Sequence, residues 1–151
     1  MKFITAVVAF SITFGFSTAL AGLFGENNPT GQKISSLLEQ DIQNGQEMEQ
    51  IARFAPSPFE YAEEVSEYAN NSQAIDDTNL PADFRVAWRT HMEAWRTYAN
   101  FLNRSDSMRK RMSKEEISQI ILAQKYEISV TWMNVLRIGA RHGAVIPFNA
   151  Y

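Results

Sequence analysis

The sequence predicts an all-α protein that folds as a single up-and-down four-helix bundle. Two observations favour this class. Four segments, separated by turn-forming residues, carry apolar side chains three and four positions apart, which is the period of one helix face. No segment of useful length shows the two-residue alternation of a half-buried strand. About 130 residues can bury one hydrophobic core but not two, so we expect one helical domain over residues 32–151.

The first helix is predicted over residues 32–54. Its apolar positions recur along a stripe that begins with Ile34, Leu38 and Ile42. We expect the helix to end before Pro56, because proline has no amide hydrogen and disfavours the helical conformation in the residue that precedes it.

The second helix is predicted over residues 58–70 and is followed by a loop over 71–80, which is rich in turn-forming residues. Ser57 and Glu60 match the capping box, in which the serine side chain and the glutamate side chain each accept a hydrogen bond from the other residue's amide. This pair predicts an α-helix that begins directly after the serine.

The third helix is predicted over residues 81–103 and contains an echo, AWRTHMEAWRTYAN at 87–100, in which A-W-R-T recurs after seven residues. Two positions seven residues apart lie on almost the same side of a helix, so both indoles are predicted to face inward. The predicted inner face, with alternating spacings of four and three, comprises Phe84, Trp88, His91, Trp95, Tyr98 and Leu102.

The fourth helix is predicted over residues 114–142. Ser113 and Glu116 form a second capping-box pattern at its start, and Gly143 is the residue type that commonly follows the end of a helix. The tail, AVIPFNAY at 144–151, is apolar, and we expect it to fold back against the bundle.

Residues 1–21 have the layout of a secretory signal peptide. Lys2 precedes an apolar run, and small residues ending in A-L-A lead to cleavage after Ala21. An uncleaved membrane anchor is the alternative, although no basic stop-transfer cluster follows. Residues 22–31 are rich in turn-forming residues and are predicted to form a flexible leader. The signal-peptide pattern predicts an exported bacterial protein of the periplasm.

The composition argues against most catalytic classes. The chain has no cysteine, which excludes thiolate nucleophiles, disulfides and cysteine-ligated metals. It has only two histidines. Neither histidine belongs to a Glu-x-x-His or an H-E-x-x-H pattern, and neither a nucleophile elbow nor a glycine-rich phosphate loop is present. We therefore expect no enzymatic activity, no bound metal and no cofactor.

Charge divides unevenly along the chain. Residues 26–77 hold eleven acidic and two basic side chains, whereas residues 78–151 hold six acidic and eleven basic ones. Packing of the two halves against each other would explain this division. The alternative is a binding surface for an acidic envelope protein or an anionic membrane surface, rather than nucleic acid, centred on the basic loop Arg109, Lys110 and Arg111.

The inner face of the third helix gives a second candidate site. Trp88, His91 and Trp95, with Trp132 of the fourth helix, would form either an ordinary core or an interior pocket for a small amphipathic ligand. Burial of His91 would shift its pKa and offer a pH-responsive element. A b-type haem is a further alternative, with Met133 at a height similar to that of His91.

The sequence thus favours a small exported protein without enzymatic activity that binds another macromolecule in the bacterial cell envelope. The roles that fit are an accessory, chaperone-like or immunity-type protein, and self-association as a homodimer stays open. The alternative is a small-ligand or haem carrier that uses the interior around His91.

Overall fold

The computed structural model describes residues 28–104 and 110–148. This part of the chain contains helices and no strand, which confirms the all-α prediction. The predicted signal peptide, 1–21, and most of the predicted leader lie outside the described residues. The helices are α1 (Pro29–Ala52), a short 3-10 helix (Pro58–Tyr61), α2 (Ala62–Gln73), α3 (Ala82–Leu102) and α4 (Lys114–Arg141).

Within the described ranges, none of these helices has the combination of length and apolar character that a membrane span requires.

α1 begins three residues before its predicted start, so residues 29–31 are helical and do not belong to a flexible leader. The reason lies in Asn28, whose Oδ1 accepts a hydrogen bond of 3.0 Å from the amide of Gly31. Pro29 occupies the first helical position, where its missing amide hydrogen costs nothing. An asparagine cap followed by proline is a recognisable start signal, which the prediction assigned to the leader.

The predicted capping box at Ser57 is wrong. The amide of Glu60 donates to the Ser57 backbone carbonyl at 3.1 Å, which makes a 3-10 turn instead of the first turn of an α-helix. The Ser57 hydroxyl donates to the Glu60 carboxylate at 3.4 Å and caps no amide. The α-helical part starts at Ala62 and continues to Gln73, into the predicted loop.

The capping box at the start of α4 is confirmed. The Glu116 amide donates to the Ser113 hydroxyl at 3.1 Å, and the Ser113 amide donates to the Glu116 carboxylate at 2.7 Å. Gly143, with a φ of 79°, follows the end of the helix in the left-handed conformation that favours glycine.

α3 is the central helix of the core and packs against both α2 and α4. Its predicted inner face is confirmed as buried except for Trp95, which is half-buried. One apolar cluster includes Ile34, Phe84 and Val135, from three different helices. The other includes Val65 and Ile128 and lies toward the opposite end of α3.

The beginning of α1 and the end of α4 meet closely. Asn28 Nδ2 donates a hydrogen bond of 2.7 Å to the carbonyl of His142. A Cβ atom on Gly31 would overlap the carbonyl of Gly143, so this approach of the two backbones requires a residue without a side chain at Gly31. Farther along, near Gly45 and Ile128, the side chains of α1 and α4 leave a cleft between them.

The tail folds back only in part. The amide of Val145 donates to the Ser35 hydroxyl at 2.9 Å, and Ala144 and Ile146 pack against the first apolar cluster. Phe148, in contrast, is fully exposed. The rest of the predicted apolar tail, 149–151, lies outside the described residues.

Candidate binding cleft

The cleft between α1 and α4 has a volume of about 340 Å³. α1 supplies Asp41 and the turn around Gly45, α2 supplies Tyr68, and α3 and α4 supply aromatic side chains. Three of the four residues predicted to form an interior pocket line it, namely His91, Trp95 and Trp132.

Trp88, the fourth predicted pocket residue, belongs to the core instead. Its side chain is buried and packs in the cluster that contains Ile34 and Val135. Trp88 and Trp95 share one helix face, but the cleft opens over only the Trp95 end of that face.

His91 is held by side chains on both of its ring nitrogens. Trp95 Nε1 donates to His91 Nε2 at 3.2 Å, so Nε2 is the acceptor nitrogen. Thr131 Oγ1 lies 2.9 Å from His91 Nδ1 and donates its own hydrogen to the Glu127 carbonyl at 2.8 Å. These bonds assign the neutral tautomer in which Nδ1 carries the hydrogen and donates to Thr131.

Burial lowers the pKa of His91 to about 3, because an imidazolium in this apolar surrounding would lose its hydration. His91 therefore stays neutral at ordinary pH, which argues against the alternative of a pH-responsive element at this residue. Haem ligation through Nε2 would also have to displace Trp95, and Met133, at 50% exposure, lies on the outer side of α4.

Asp41 is the titratable group of the cleft that the sequence prediction missed. It is only 4% exposed, and its Oδ1 accepts a hydrogen bond of 2.9 Å from the Tyr68 hydroxyl. The Ser72 hydroxyl also bonds this carboxylate, and Asn44 Nδ2 donates to Ser72 Oγ at 3.1 Å. Burial outweighs these hydrogen bonds and raises the pKa of Asp41 to about 6.

A sequence signal for Asp41 did exist. Asp41 lies three positions after Leu38, and this spacing places its carboxylate on the apolar stripe of α1. An acidic side chain at such a position is either a fault in the stripe or a buried polar group with partners.

Aromatic rings form the walls beside the carboxylate. Tyr68 and Trp95 pack edge to face with ring centroids 4.7 Å apart, while the rings of His91 and Trp132 are 5.1 Å apart. The edge-to-face geometry is the one that aromatic quadrupoles favour. The cleft thus combines a buried acceptor with flat apolar surfaces, an arrangement suited to binding an amphipathic molecule.

A second groove, of about 570 Å³, lies between α3 and α4 and is lined by side chains that include Val86, Arg89, Glu93 and Gln124. It is larger but has no aromatic wall and no buried acid among its lining residues. We therefore place the candidate site in the cleft that contains Asp41.

The basic loop is described only in part. Arg109 lies outside the described residues, while Lys110 and Arg111 are exposed. Arg104, just before the gap, places its guanidinium carbon 5.6 Å from the ring centroid of Phe101. In the described parts of the chain, no group of three histidine, cysteine or acidic side chains is arranged to hold a metal ion.

Comparison with known proteins finds no matching protein-family model, no similar curated protein and no similar solved structure.

Proposed function

We propose that this chain is an exported, non-enzymatic binding protein of the bacterial envelope, an up-and-down bundle whose cleft holds a small amphipathic organic molecule. The observation that carries the proposal is the meeting of the Asp41 carboxylate with Trp95 and Trp132 in one cleft. Small-molecule sites are mostly apolar with a few placed polar groups, and this cleft has that composition.

The lining residues favour a ligand with a flat apolar body and a hydrogen-bond donor. A carboxylate has four acceptor positions, so Asp41 can accept from a ligand in addition to Tyr68 and Ser72. Lys125 and Glu49 are both exposed where they line the cleft, and they can contact polar groups that stay in water. The volume, about 340 Å³, suits a small molecule.

The state of His91 supports binding over catalysis. Its acceptor nitrogen is used by Trp95, and its donor nitrogen by Thr131. A general base needs a free nitrogen within reach of the proton that it removes. Within this cleft, His91 instead positions the indole of Trp95.

Native mass spectrometry of the protein, exported and purified gently from its own kind of host, tests this proposal. The intact mass reports whether residues 1–21 have been removed, and a mass above that of the polypeptide reports a bound molecule. We expect such an excess in the wild type and its loss in Asp41→Asn and Trp132→Ala. Glu39→Gln changes an exposed acid of the same helix and should keep the ligand.

Three outcomes would count against the cleft. A wild-type mass that equals the bare polypeptide would do so, as would a ligand retained by both cleft variants. A haem-sized excess that Asp41→Asn retains would favour the haem alternative over the site proposed here. Circular dichroism of each variant separates loss of binding from loss of folding.

A second candidate function is binding of another macromolecule, which would make the chain an accessory, chaperone-like or immunity-type protein. The exposure of Lys110 and Arg111 favours it, because they follow Arg104 by six and seven residues in the sequence of a chain of net negative charge. The expected partner is an acidic envelope protein or an anionic surface. Reversing both charges with Lys110→Glu and Arg111→Glu should abolish capture of the partner from envelope extracts, whereas Lys33→Glu should not. Unchanged capture would reject this candidate.

A further inference from the structure

The outer side of α4 carries a row of exposed apolar side chains. Leu122 is 70% exposed, Tyr126 69%, Val130 44% and Met133 50%. On a helix with 3.6 residues per turn these four positions, here named the outer stripe, fall within about 80° of one another. Isolated exposed apolar residues are normal on a protein surface, but a continuous row along one helix marks an interaction surface.

α4 is therefore apolar on two opposite sides. Its inner side carries Ile128, Val135 and Ile138, which are buried against the rest of the protein. Among the described residues, α4 packs through its inner side, which leaves the outer stripe exposed.

We propose that the outer stripe pairs with the outer stripe of a second copy of this chain, with the two α4 helices antiparallel about a two-fold axis. This interface goes beyond the proposed function and does not depend on the cleft. The stripe is nearly symmetric about position 128: Tyr126 and Val130 lie two residues to either side, and Leu122 and Met133 lie six and five residues away. An antiparallel two-fold pairing thus sets apolar side chains against apolar side chains.

Charges at the two ends of α4 select the antiparallel direction. Glu115 and Glu116 lie in the first turn, and Arg141 lies in the last turn. Glu115 and Arg141 each stand thirteen residues from position 128, so antiparallel pairing brings opposite charges together. Parallel pairing would align like charges and like ends of the helix dipoles. Arg141 contacts Asp83 at 3.1 Å within its own chain but is still 57% exposed.

Gln119 provides a test in which binding is strengthened. It is exposed and stands nine residues before position 128, as Arg137 stands nine residues after it. The two-fold pairing therefore sets Gln119 opposite the Arg137 of the second copy. Gln119→Glu should tighten the dimer, and Gln119→Lys should weaken it, because only the glutamate adds an attractive charge pair across the interface.

Sedimentation velocity of the mature protein across a concentration series measures this association. We expect the wild type to form a reversible dimer. Tyr126→Glu should raise its dissociation constant at least about tenfold, because the new charge would be buried against Val130 of the second copy. Val86→Glu is the matched control, because Val86 is 67% exposed on α3 outside the outer stripe. A wild type that stays monomeric at all concentrations, or a dimer equally sensitive to both changes, overturns the proposal.

Crosslinking tests the direction of the pairing, and the absence of native cysteine makes it specific. In the antiparallel dimer, position 122 of one copy lies near position 133 of the other, whereas the two 122 positions are about 18 Å apart along the axis. Under oxidation, Leu122→Cys and Met133→Cys chains should crosslink when mixed and fail to crosslink separately. Crosslinking of each variant with itself, and none between them, would show parallel pairing and reject the proposed geometry.

Discussion

The Tyr68 hydroxyl donates a hydrogen bond of 2.9 Å to Asp41 Oδ1, which joins α2 to α1 inside the protein. The two residues are 5% and 4% exposed. The carboxylate receives hydroxyl hydrogens but, in the contacts described, no cationic partner. Burial therefore dominates, and it raises the pKa of Asp41 to about 6. The negative charge in turn adds to the effect of burial that raises the pKa of Tyr68.

The raised pKa of Asp41 predicts how stability depends on pH. Because the pKa of Asp41 is about 6 in the folded protein and 3.8 ordinarily, the folded state binds the proton more tightly between these values. The contribution of Asp41 to the free energy of unfolding is then greatest below pH 4 and is lost as the pH rises through 6. Its size is on the order of 2–3 kcal/mol. Asp41→Asn should stabilise the protein at pH 7.5 and have little effect at pH 4, as measured by urea unfolding followed by circular dichroism.

The control for this experiment is Glu39→Gln. Glu39 is exposed on α1, two residues from Asp41, so its replacement should leave the pH dependence close to that of the wild type. Equal stabilisation by Asp41→Asn at both pH values would show that the Asp41 carboxyl does not titrate differently in the folded and unfolded protein.

His91 should behave in the opposite sense. Because burial lowers its pKa to about 3, the stability that neutral His91 contributes is complete above pH 6.5 and is lost as the pH falls toward 3. His91→Ala removes the bonds to Thr131 and Trp95 and leaves a space, so we expect a loss of about 2–4 kcal/mol at pH 7. The free energy lost through His91→Ala should be smaller at pH 4.5. At that pH the folded wild type holds His91 neutral, whereas the unfolded chain gains stability by protonating it.

Nitrogen-15 NMR of the imidazole checks this account of His91 directly. A hydrogen on Nδ1 and an unchanged ring signal from pH 8 to pH 5 are the expected results. A midpoint between pH 6 and pH 7 would contradict the burial of this ring. His142→Ala is the control for unfolding, because His142 is half-exposed at the end of α4 and its removal should cost less.

The fold class was predictable because the residues of the inner face of α3 recur at a regular spacing in the sequence. The spacing from Phe84 to Leu102 maps directly onto one helix face, and tertiary contacts did not need to be known. Helix starts were less predictable. The same Ser-x-x-Glu pattern gives a capping box at Ser113 and a 3-10 turn at Ser57, since the pattern does not determine which acceptor the third amide uses.

The cleft was only partly predictable. His91 and Trp95 share a face of α3, and this spacing alone placed them together. Asp41 gains its importance from Tyr68, which belongs to another helix. The sequence does not show that α1 and α2 pack with these two residues side by side. It therefore cannot identify the hydrogen-bond partner of an aspartate on an apolar stripe. The sequence prediction places Trp88 in the pocket because periodicity identifies a buried helix face. Periodicity cannot show where along that face the core ends and a cleft begins.

The two serines offer a comparison of caps. Ser113→Ala removes a side chain that accepts from the Glu116 amide at 3.1 Å, so it should lower the free energy of unfolding by about 1 kcal/mol. Ser57→Ala should change it by no more than a few tenths of a kcal/mol, because Ser57 caps no amide. Urea unfolding of the two variants in parallel tests this difference. Equal losses would mean that the Ser57 side chain does cap the following helix.

Two glycines of α1 should respond in opposite ways to the same change. A Cβ atom on Gly31 would overlap the Gly143 carbonyl, so Gly31→Ala must push apart the ends of α1 and α4 and should cost about 1–3 kcal/mol. A Cβ atom on Gly45 would lie 3.7 Å from Tyr68 Cε2, an ordinary contact. Gly45→Ala should therefore stabilise the protein by about 1 kcal/mol, since alanine favours the helix interior. Thermal unfolding of both variants measures the two signs. Stabilisation by Gly31→Ala would show that the ends of α1 and α4 are not held in close contact.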